Sequence, residues 1–189
     1  MKKHIKQIAV LAAALALTVS AFAGSAWDNF ISFNRAVETN KSLTLVLSPS
    51  YAPDIVVEGE KAPWGMCAAV LYPVLDLGIV RGLTGARIDW MATEFWAPSV
   101  DVTLEMPFTF LGKIEVTPFA IGGAIFPLSN GNDNGESVGG IYGGGVSVSV
   151  FNWERGGVKG NLSIGGGCEK WTPYPGEVYR VGVALTLKF

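Results

Sequence analysis

The sequence contains very little histidine and cysteine: one histidine, His4, and two cysteines among 189 residues. His4 lies in an N-terminal segment that we expect to be removed, so the rest of the chain has no histidine. A Ser-His-Asp or Cys-His catalytic site and a histidine-ligated metal site are therefore excluded. The glycine runs lack the following Lys-Ser or Lys-Thr of a phosphate-binding loop, and no paired-carboxylate spacing stands out. We expect no catalytic, cofactor-binding or metal-binding residue, and no enzymatic activity.

An excess of basic residues is also absent. The chain has 14 Lys and Arg against 16 Asp and Glu, and removal of the N-terminal lysines makes the balance more acidic. A nucleic-acid partner needs a basic face, so we expect none. Beyond the N terminus there is no long apolar run, although 49% of the residues are hydrophobic and 24 are glycine. Apolar residues that alternate along the chain are typical of a membrane β-barrel.

The first 23 residues have the three parts of a secretory signal peptide. Lys2, Lys3 and Lys6 precede an apolar run over 8–22, which ends in the small-residue cleavage pattern Ala21-Phe22-Ala23. The uncharged run is shorter than the ~20 residues of a membrane-spanning helix. The pattern predicts secretion across the inner membrane and cleavage after residue 23.

The last eleven residues predict a β-strand with one apolar face, because apolar and mixed residues alternate with a period of two. Final strands of bacterial outer-membrane barrels are similar, with a terminal Phe and apolar residues at every second position before it. The resemblance is to small eight-stranded outer-membrane barrels as a class. It implies that Phe189 belongs to a signal recognised by the outer-membrane assembly machinery. The apolar face consists of Tyr179, Val181, Val183, Leu185, Leu187 and Phe189.

Seven further segments alternate in the same way, which gives eight strands. The predicted connections are alternately short (76–78, 111–113, 152–157) and long (50–63, 92–98, 127–138, 169–178). Short periplasmic turns and longer outer loops are typical of outer-membrane barrels. We predict an all-β fold, an eight-stranded antiparallel up-and-down transmembrane β-barrel over residues 41–189 with a short N-terminal extension.

That extension, residues 24–40, does not follow the barrel pattern. Trp27, Phe30, Ile31 and Val37 have roughly helical spacing. The segment is predicted as a periplasmic extension, with three open alternatives: an amphipathic helix at the membrane interface, a ninth strand, or a disordered tail.

Nine charged residues fall on the mixed face of the predicted strands and should point into the barrel. An eight-stranded barrel has an interior just wide enough for side chains, and buried charges must pair. We expect a structural ion-pair network, with a narrow polar conduit as the alternative. The residues are Arg81, Arg87, Asp89, Asp101, Glu105, Glu115, Lys159, Arg180 and Lys188.

Glycines on four successive predicted strands should lie at about the same height and form a belt on one wall. Bare backbone permits sharp coiling of the sheet or close approach of another group. The belt therefore indicates either the curvature of a tight barrel or a lateral groove for an acyl chain or a protein partner. Its members are Gly122, Gly123, Gly143, Gly144, Gly145, Gly165, Gly166, Gly167 and Gly182.

The two cysteines, Cys67 and Cys168, would be in an oxidising compartment, where a disulfide is allowed. They fall on strands that are not predicted to be neighbours, and a disulfide needs Cα atoms within ~7 Å. A disulfide and two unpaired buried thiols both stay open.

Together these features predict an outer-membrane protein in contact with lipid, with a structural or surface-interaction role carried by loops 50–63 and 127–138. Its extracellular or lipid ligand is not identified by the sequence. The first alternative is a barrel that binds or handles lipid through the glycine wall. The second is a soluble periplasmic lipocalin-like barrel, which would place apolar residues inward and polar residues outward.

Overall fold

The computed structural model describes residues 31–33, 42–54, 56–57, 60–61, 63–91, 95–126, 128, 138–172, 174 and 176–188. Within these residues no helix is long and apolar enough to cross a membrane. The described part folds into strands β1 (Ile31–Phe33), β2 (Ser42–Tyr51), β3 (Val56–Val57), β4 (Glu60–Lys61), β5 (Trp64–Asp76), β6 (Arg81–Met91), β7 (Phe95–Glu105), β8 (Phe108–Phe110), β9 (Ile114–Ile125), β10 (Gly139–Arg155), β11 (Val158–Trp171) and β12 (Val178–Lys188).

The main sheet closes on itself as an antiparallel barrel. Its pairing order is β9-β10-β11-β12-β2-β5-β6-β7, and β7 pairs back with β9. β8 continues β7 after a break at Met106 and Pro107, and it pairs with β9 as β7 does. β7 and β8 together make one barrel strand, so the described residues form eight barrel strands. The predicted all-β, eight-stranded antiparallel barrel is confirmed.

Three short connections lie at one end of the barrel, which we call the turn end; the opposite end is the loop end. The short connections are 77–80, 111–113 and Gly156–Gly157. The two glycines have φ angles of 61° and 81°, the positive pair that a type I′ hairpin turn requires. β10 extends to Arg155, so this turn has two residues and is shorter than the predicted 152–157. The predicted long connection 92–98 at the loop end is wrong, because β6 ends at Met91 and β7 begins at Phe95, which leaves only three residues between them.

Prolines occur where the hydrogen-bond ladder is already interrupted. The β5–β6 register shifts between Pro73 and Leu75, and Pro107 separates β7 from β8. Pro118 lies inside β9, but its carbonyl accepts a hydrogen bond from the Met106 amide. The amide and carbonyl of one strand residue point to the same side of the strand. The missing N–H of Pro118 therefore points at the break between β7 and β8, where little pairing is lost.

The short strand β1 lies beside β8 beyond the end of β6. Ile31 pairs with Phe110 and Phe33 with Phe108, whereas β6 stops at Arg81, opposite Glu105. The amphipathic helix is thus excluded at residues 31–33, where a short extra strand is present. Residues 24–30 and 34–40, the predicted signal peptide 1–23 and Phe189 lie outside the described residues.

Candidate functional site

The outer face of the barrel is apolar and the charges lie inside. β6 illustrates the alternation: Ile88 and Trp90 are 41% and 44% exposed, whereas Arg87 and Asp89 are 7% and 0% exposed. Other barrel strands repeat this pattern, with outward valines such as Val100 at 56% exposure. This orientation is opposite to that required by a lipocalin-like soluble barrel, so that alternative is wrong.

Aromatic side chains on the outer face are paired near both ends of the barrel. Tyr51 and Trp64 lie at the loop end with ring centroids 4.7 Å apart, and Trp90 and Trp96 lie there at 6.1 Å. At the turn end, Phe151 stacks on Trp153 at 5.7 Å. Aromatic rings with apolar bodies and polar edges are the side chains that prefer a membrane–water boundary.

A hydrophobic cluster, which we call the plug, closes the interior at the loop end. Tyr174 packs against the plug, with its ring edge-on to Trp171 and centroids 6.4 Å apart. Every member is at most 2% exposed, so the plug is a closely packed layer of the described residues. The members are Ala52, Met91, Ala97, Ile125, Ile141, Trp171 and Val178.

Directly below the plug, five buried side chains form an ion network. Arg87 donates hydrogen bonds to both carboxylate oxygens of Glu169 at 2.8 Å, and its second terminal nitrogen lies 3.0 Å from Asp101. Arg180 lies 2.7 Å from Asp89 and 2.9 Å from Glu169. Glu169 therefore joins the two guanidinium groups. Pairing of this kind is what allows these charges to be buried.

Four members of this ion network were among the predicted inward charges, but Glu169 was not. The predicted connection 169–178 includes residue 169, whereas β11 continues to Trp171 and directs both Glu169 and Trp171 inward. The alternation from Asn161 and Ser163 through Gly165 and Gly167 leads to position 169. Continuing this alternation by two residues beyond Gly167 would have identified Glu169, the residue that joins the two guanidinium groups, as inward-facing.

The other five predicted inward charges lie toward the turn end. Arg81 forms an ion pair with Glu105. Lys159 lies 3.8 Å from Glu154, with both side chains about two-thirds exposed. Glu115 and Lys188 line the opening of the interior at this end.

Between the ion network and the turn end lies a cavity of about 140 Å³. A second cavity of about 410 Å³ lies at the turn end itself. Both are lined by Arg81, Glu115, Asn161 and Thr186, so they adjoin. Among the described residues the plug fills the loop end of the interior, and both cavities lie on the turn-end side of the plug. This arrangement favours the structural ion-pair network over the conduit alternative.

The predicted glycine belt separates into an inner and an outer set. An added Cβ at Gly145 would lie 2.2 Å from the Gly166 carbonyl oxygen, and one at Gly143 would lie 2.3 Å from that of Cys168. Such distances mean that neighbouring strands approach too closely for any side chain, as strong coiling requires. The inner set is Gly123, Gly143, Gly145, Gly165, Gly167 and Gly182; the outer set is Gly122, Gly144 and Gly166.

The outer set is mixed. A Cβ added at Gly122 would meet nothing within 4 Å, whereas one at Gly144 would lie 2.7 Å from the Phe119 carbonyl oxygen. At Gly166 the nearest atom, the Arg180 carbonyl oxygen, is 3.0 Å away. The close approach of neighbouring backbone therefore explains why most positions of the belt are glycine. Of the three outer glycines, only Gly122 has open space beside it.

The two cysteines are free and lie on opposite sides of the wall. Cys67 is 2% exposed and lines the cavity, whereas the Cys168 thiol lies 3.5 Å from a carboxylate oxygen of Glu177. Their strands, β5 and β11, are separated in the barrel by β2 and β12. The disulfide considered from the sequence is not formed.

Glu177 lies in the connection between β11 and β12, at the loop end. The Tyr179 hydroxyl donates a hydrogen bond of 2.8 Å to its carboxylate and, with the Cys168 thiol, lowers the pKa of Glu177. The ionised carboxylate thus fixes the base of this connection against the neighbouring strands.

Comparison with solved structures shows that the fold of this chain is similar to that of a known protein. The chain is similar to the crystal structure of Neisserial surface protein A (NspA), with a TM-score of 0.56 and 13% sequence identity over 79% of this chain and 97% of that one. No protein-family model matches the chain, and no curated protein sequence matches it. Among the described residues, no group of three His, Cys, Asp or Glu side chains is placed to hold a metal ion.

Proposed function

We propose that this protein is an outer-membrane β-barrel that acts as a closed scaffold and interacts with its surroundings through the connections at its loop end. The observation that carries the proposal is the apolar outer face. In water such a face would be costly, because a contiguous apolar patch of this extent is rare on soluble monomers. In a bilayer the same face is satisfied, and the closed sheet leaves no free backbone edge.

The dimensions of the strands support a membrane location. A tilted transmembrane strand needs ~9–11 residues, and β2, β6 and β12 have 10, 11 and 11. The aromatic pairs at the two ends of the outer face fit the two interfaces of a bilayer. The likeness of fold to a surface protein of Neisseria is in keeping with this assignment.

The interior argues for a scaffold and against a pore. Among the described residues the plug and the ion network fill the interior at the loop end, which favours a filled interior over a path for a solute. The longer connections at that end are then the parts available for binding, and loops on a rigid scaffold commonly carry binding.

Two of these connections have firmly held bases. The Ala52 amide donates to the Pro63 carbonyl at 2.8 Å across connection 50–63, and β3 pairs with β4 within it. Leu128 exchanges two backbone hydrogen bonds with Trp96 at the start of connection 127–138. Residues 129–137 lie outside the described part of the chain.

Cysteine labelling in isolated membranes tests the location. In a background with Cys67→Ala and Cys168→Ser, Val100→Cys faces lipid, whereas Lys159→Cys at the turn end faces water. A water-soluble maleimide should label Lys159→Cys readily and Val100→Cys only after denaturation. The protein should also sediment with outer membranes and migrate differently on detergent gels with and without boiling. Equal labelling of the two variants in intact membranes would contradict the proposal.

A further inference from the structure

The cavity is unexpected in a barrel of this size. Eight strands enclose an interior that side chains normally fill, yet side chains leave about 140 Å³ unfilled here. The reason is the glycine wall, because Gly165, Gly167 and Gly182 line the cavity with bare backbone. An engineered apolar cavity of about 150 Å³ binds benzene, so this space is large enough for a slender apolar group.

The opposite side of the cavity presents mainly carbon. Val46 on β2, with Ala69 and Leu71 on β5, forms one part, and Phe119 and Ile121 on β9 form another. A methylene chain is the ligand that such a lining accommodates, since it needs no hydrogen bonds.

Several hydroxyl groups in the same lining already have partners in the protein. Thr44 and Thr186 are hydrogen-bonded to each other at 3.0 Å. Ser48 donates to the Val181 carbonyl at 3.3 Å, and Ser163 donates to the Ala184 carbonyl at 3.5 Å. These hydroxyls therefore do not require a polar ligand.

The charges at the two ends of the cavity differ. At the closed end the ion network holds two guanidinium groups and three carboxylates, so it would repel an anion. At the open end Lys159 and Lys188 face two carboxylates, Glu115 and Glu154, and Arg81 is paired with Glu105. Lys188 has no carboxylate within 4 Å among the described residues, and the ion pair of Lys159 is long and exposed and therefore weak. The open end thus has no excess of negative charge, so an anionic group is accepted there more readily than at the closed end.

We infer that the cavity binds a single-chain anionic amphiphile of the fatty-acid type, which enters from the turn end. The end of its alkyl chain lies between the glycine wall and the apolar side chains of β2, β5 and β9, and the rest of the chain runs through the adjoining cavity of about 410 Å³ at the turn end. Its carboxylate lies at the opening, near Lys159 and Lys188. The inference depends on the closed barrel and not on the proposed surface role, so either can fail without the other.

Native mass spectrometry with dodecanoate tests the chain-binding part. Ala69 faces the cavity and Ala68, its neighbour on β5, faces outward, so the same substitution at the two positions is a matched pair. Wild type and Ala68→Leu should retain one dodecanoate per barrel, and Ala69→Leu should retain none. The boiled and unboiled gel shift establishes that each variant is folded. If Ala69→Leu fails to fold, Ala184→Leu, which also fills the cavity, replaces it.

Titration of the same complexes tests the position of the head group. Lys188→Gln should weaken dodecanoate binding by about tenfold or more, because a hydrogen bond to a charged group is lost. Lys170→Gln, at the loop end of β11, should leave the affinity unchanged. Dodecanol should bind to wild type more weakly than dodecanoate does. To the Lys188→Gln variant, dodecanol and dodecanoate should bind with equal affinity. Absence of bound dodecanoate in wild type, or its full retention by the folded cavity-filling variant, would overturn the inference. Equal affinities of the two lysine variants would overturn the placement of the carboxylate.

Discussion

The stability of the interior depends on single charges in the ion network. Arg87 contacts Glu169 and Asp101. If Arg87 is replaced by an uncharged residue, Arg180 is the one guanidinium of the network left to balance its three buried carboxylates. We expect Arg87→Met to destabilise the barrel by about 3–5 kcal/mol, the usual cost of leaving buried charge without its partner. Glu169→Gln should cost less, because it reduces the excess of negative charge. Urea unfolding in phosphatidylcholine vesicles, followed by tryptophan fluorescence, measures both.

The matched control for this substitution lies at the turn end. Lys159 forms an exposed ion pair with Glu154, and exposed pairs contribute at most about 1 kcal/mol. Lys159→Met should therefore leave the urea midpoint nearly unchanged. If Arg87→Met and Lys159→Met shifted the midpoint equally, the buried ion network would have no special role in stability.

Prediction at the level of single residues succeeded where the period of two is unbroken. Arg87 and Asp89 alternate with Ile88 and Trp90, so their inward direction follows from sequence alone. Glu169 was missed because the predicted strand ends at Cys168 and residue 169 is assigned to the following connection, 169–178. Which carboxylate pairs with which guanidinium depends on the stagger between strands distant in the chain, and no local pattern encodes that stagger.

At the level of strands, the inner glycines give a second prediction. A Cβ at position 145 would lie 2.2 Å from a backbone oxygen, whereas one at position 122 would meet open space. Gly145→Ala should destabilise the barrel by about 1–3 kcal/mol through steric crowding. Gly122→Ala should be neutral or stabilising by up to about 1 kcal/mol, because it restricts the unfolded chain.

The same urea unfolding experiment compares these two glycine variants. They sit on neighbouring strands and add the same methyl group, so a difference between them reports the direction of the side chain. Equal destabilisation would mean that the belt is not required for coiling on its inner side. It would instead favour a role of the outer surface in close packing against another molecule.

Strand boundaries were less accessible to prediction than strand identities. β10 ends beyond its predicted limit because the Gly156–Gly157 turn allows the ladder to continue to Arg155. β11 begins at Val158 as predicted, but it extends past Cys168 to Trp171. Two consecutive glycines are compatible with a two-residue turn or a longer loop, and only pairing across the hairpin decides between them. β1 had no sequence signal because three residues are too few to establish alternation.

For the whole molecule, the number of strands and the direction of the apolar face followed from sequence, whereas the layers of the interior did not. The plug combines Ala52 from a connection with Trp171 from a strand end, and the cavity arises from glycines on several strands. Each layer is assembled from residues far apart in sequence that share one height in the barrel. Height is fixed by the shear of the closed sheet, which a single strand does not reveal.

The even number of strands puts both ends of the barrel domain at the same end of the barrel. β2 begins and β12 ends at the turn end, where Ser42 pairs with Lys188, so both ends of the barrel domain lie on one side. Short turns of outer-membrane barrels face the periplasm, so we propose that the open end of the cavity lies there and the plug at the cell surface. The exposed residues Glu177 and Lys159 lie at opposite ends. On the cysteine-free background, a membrane-impermeant maleimide should label Glu177→Cys in intact cells. Lys159→Cys should react only after the outer membrane is permeabilised, and the reverse pattern would place the opening of the cavity outside the cell.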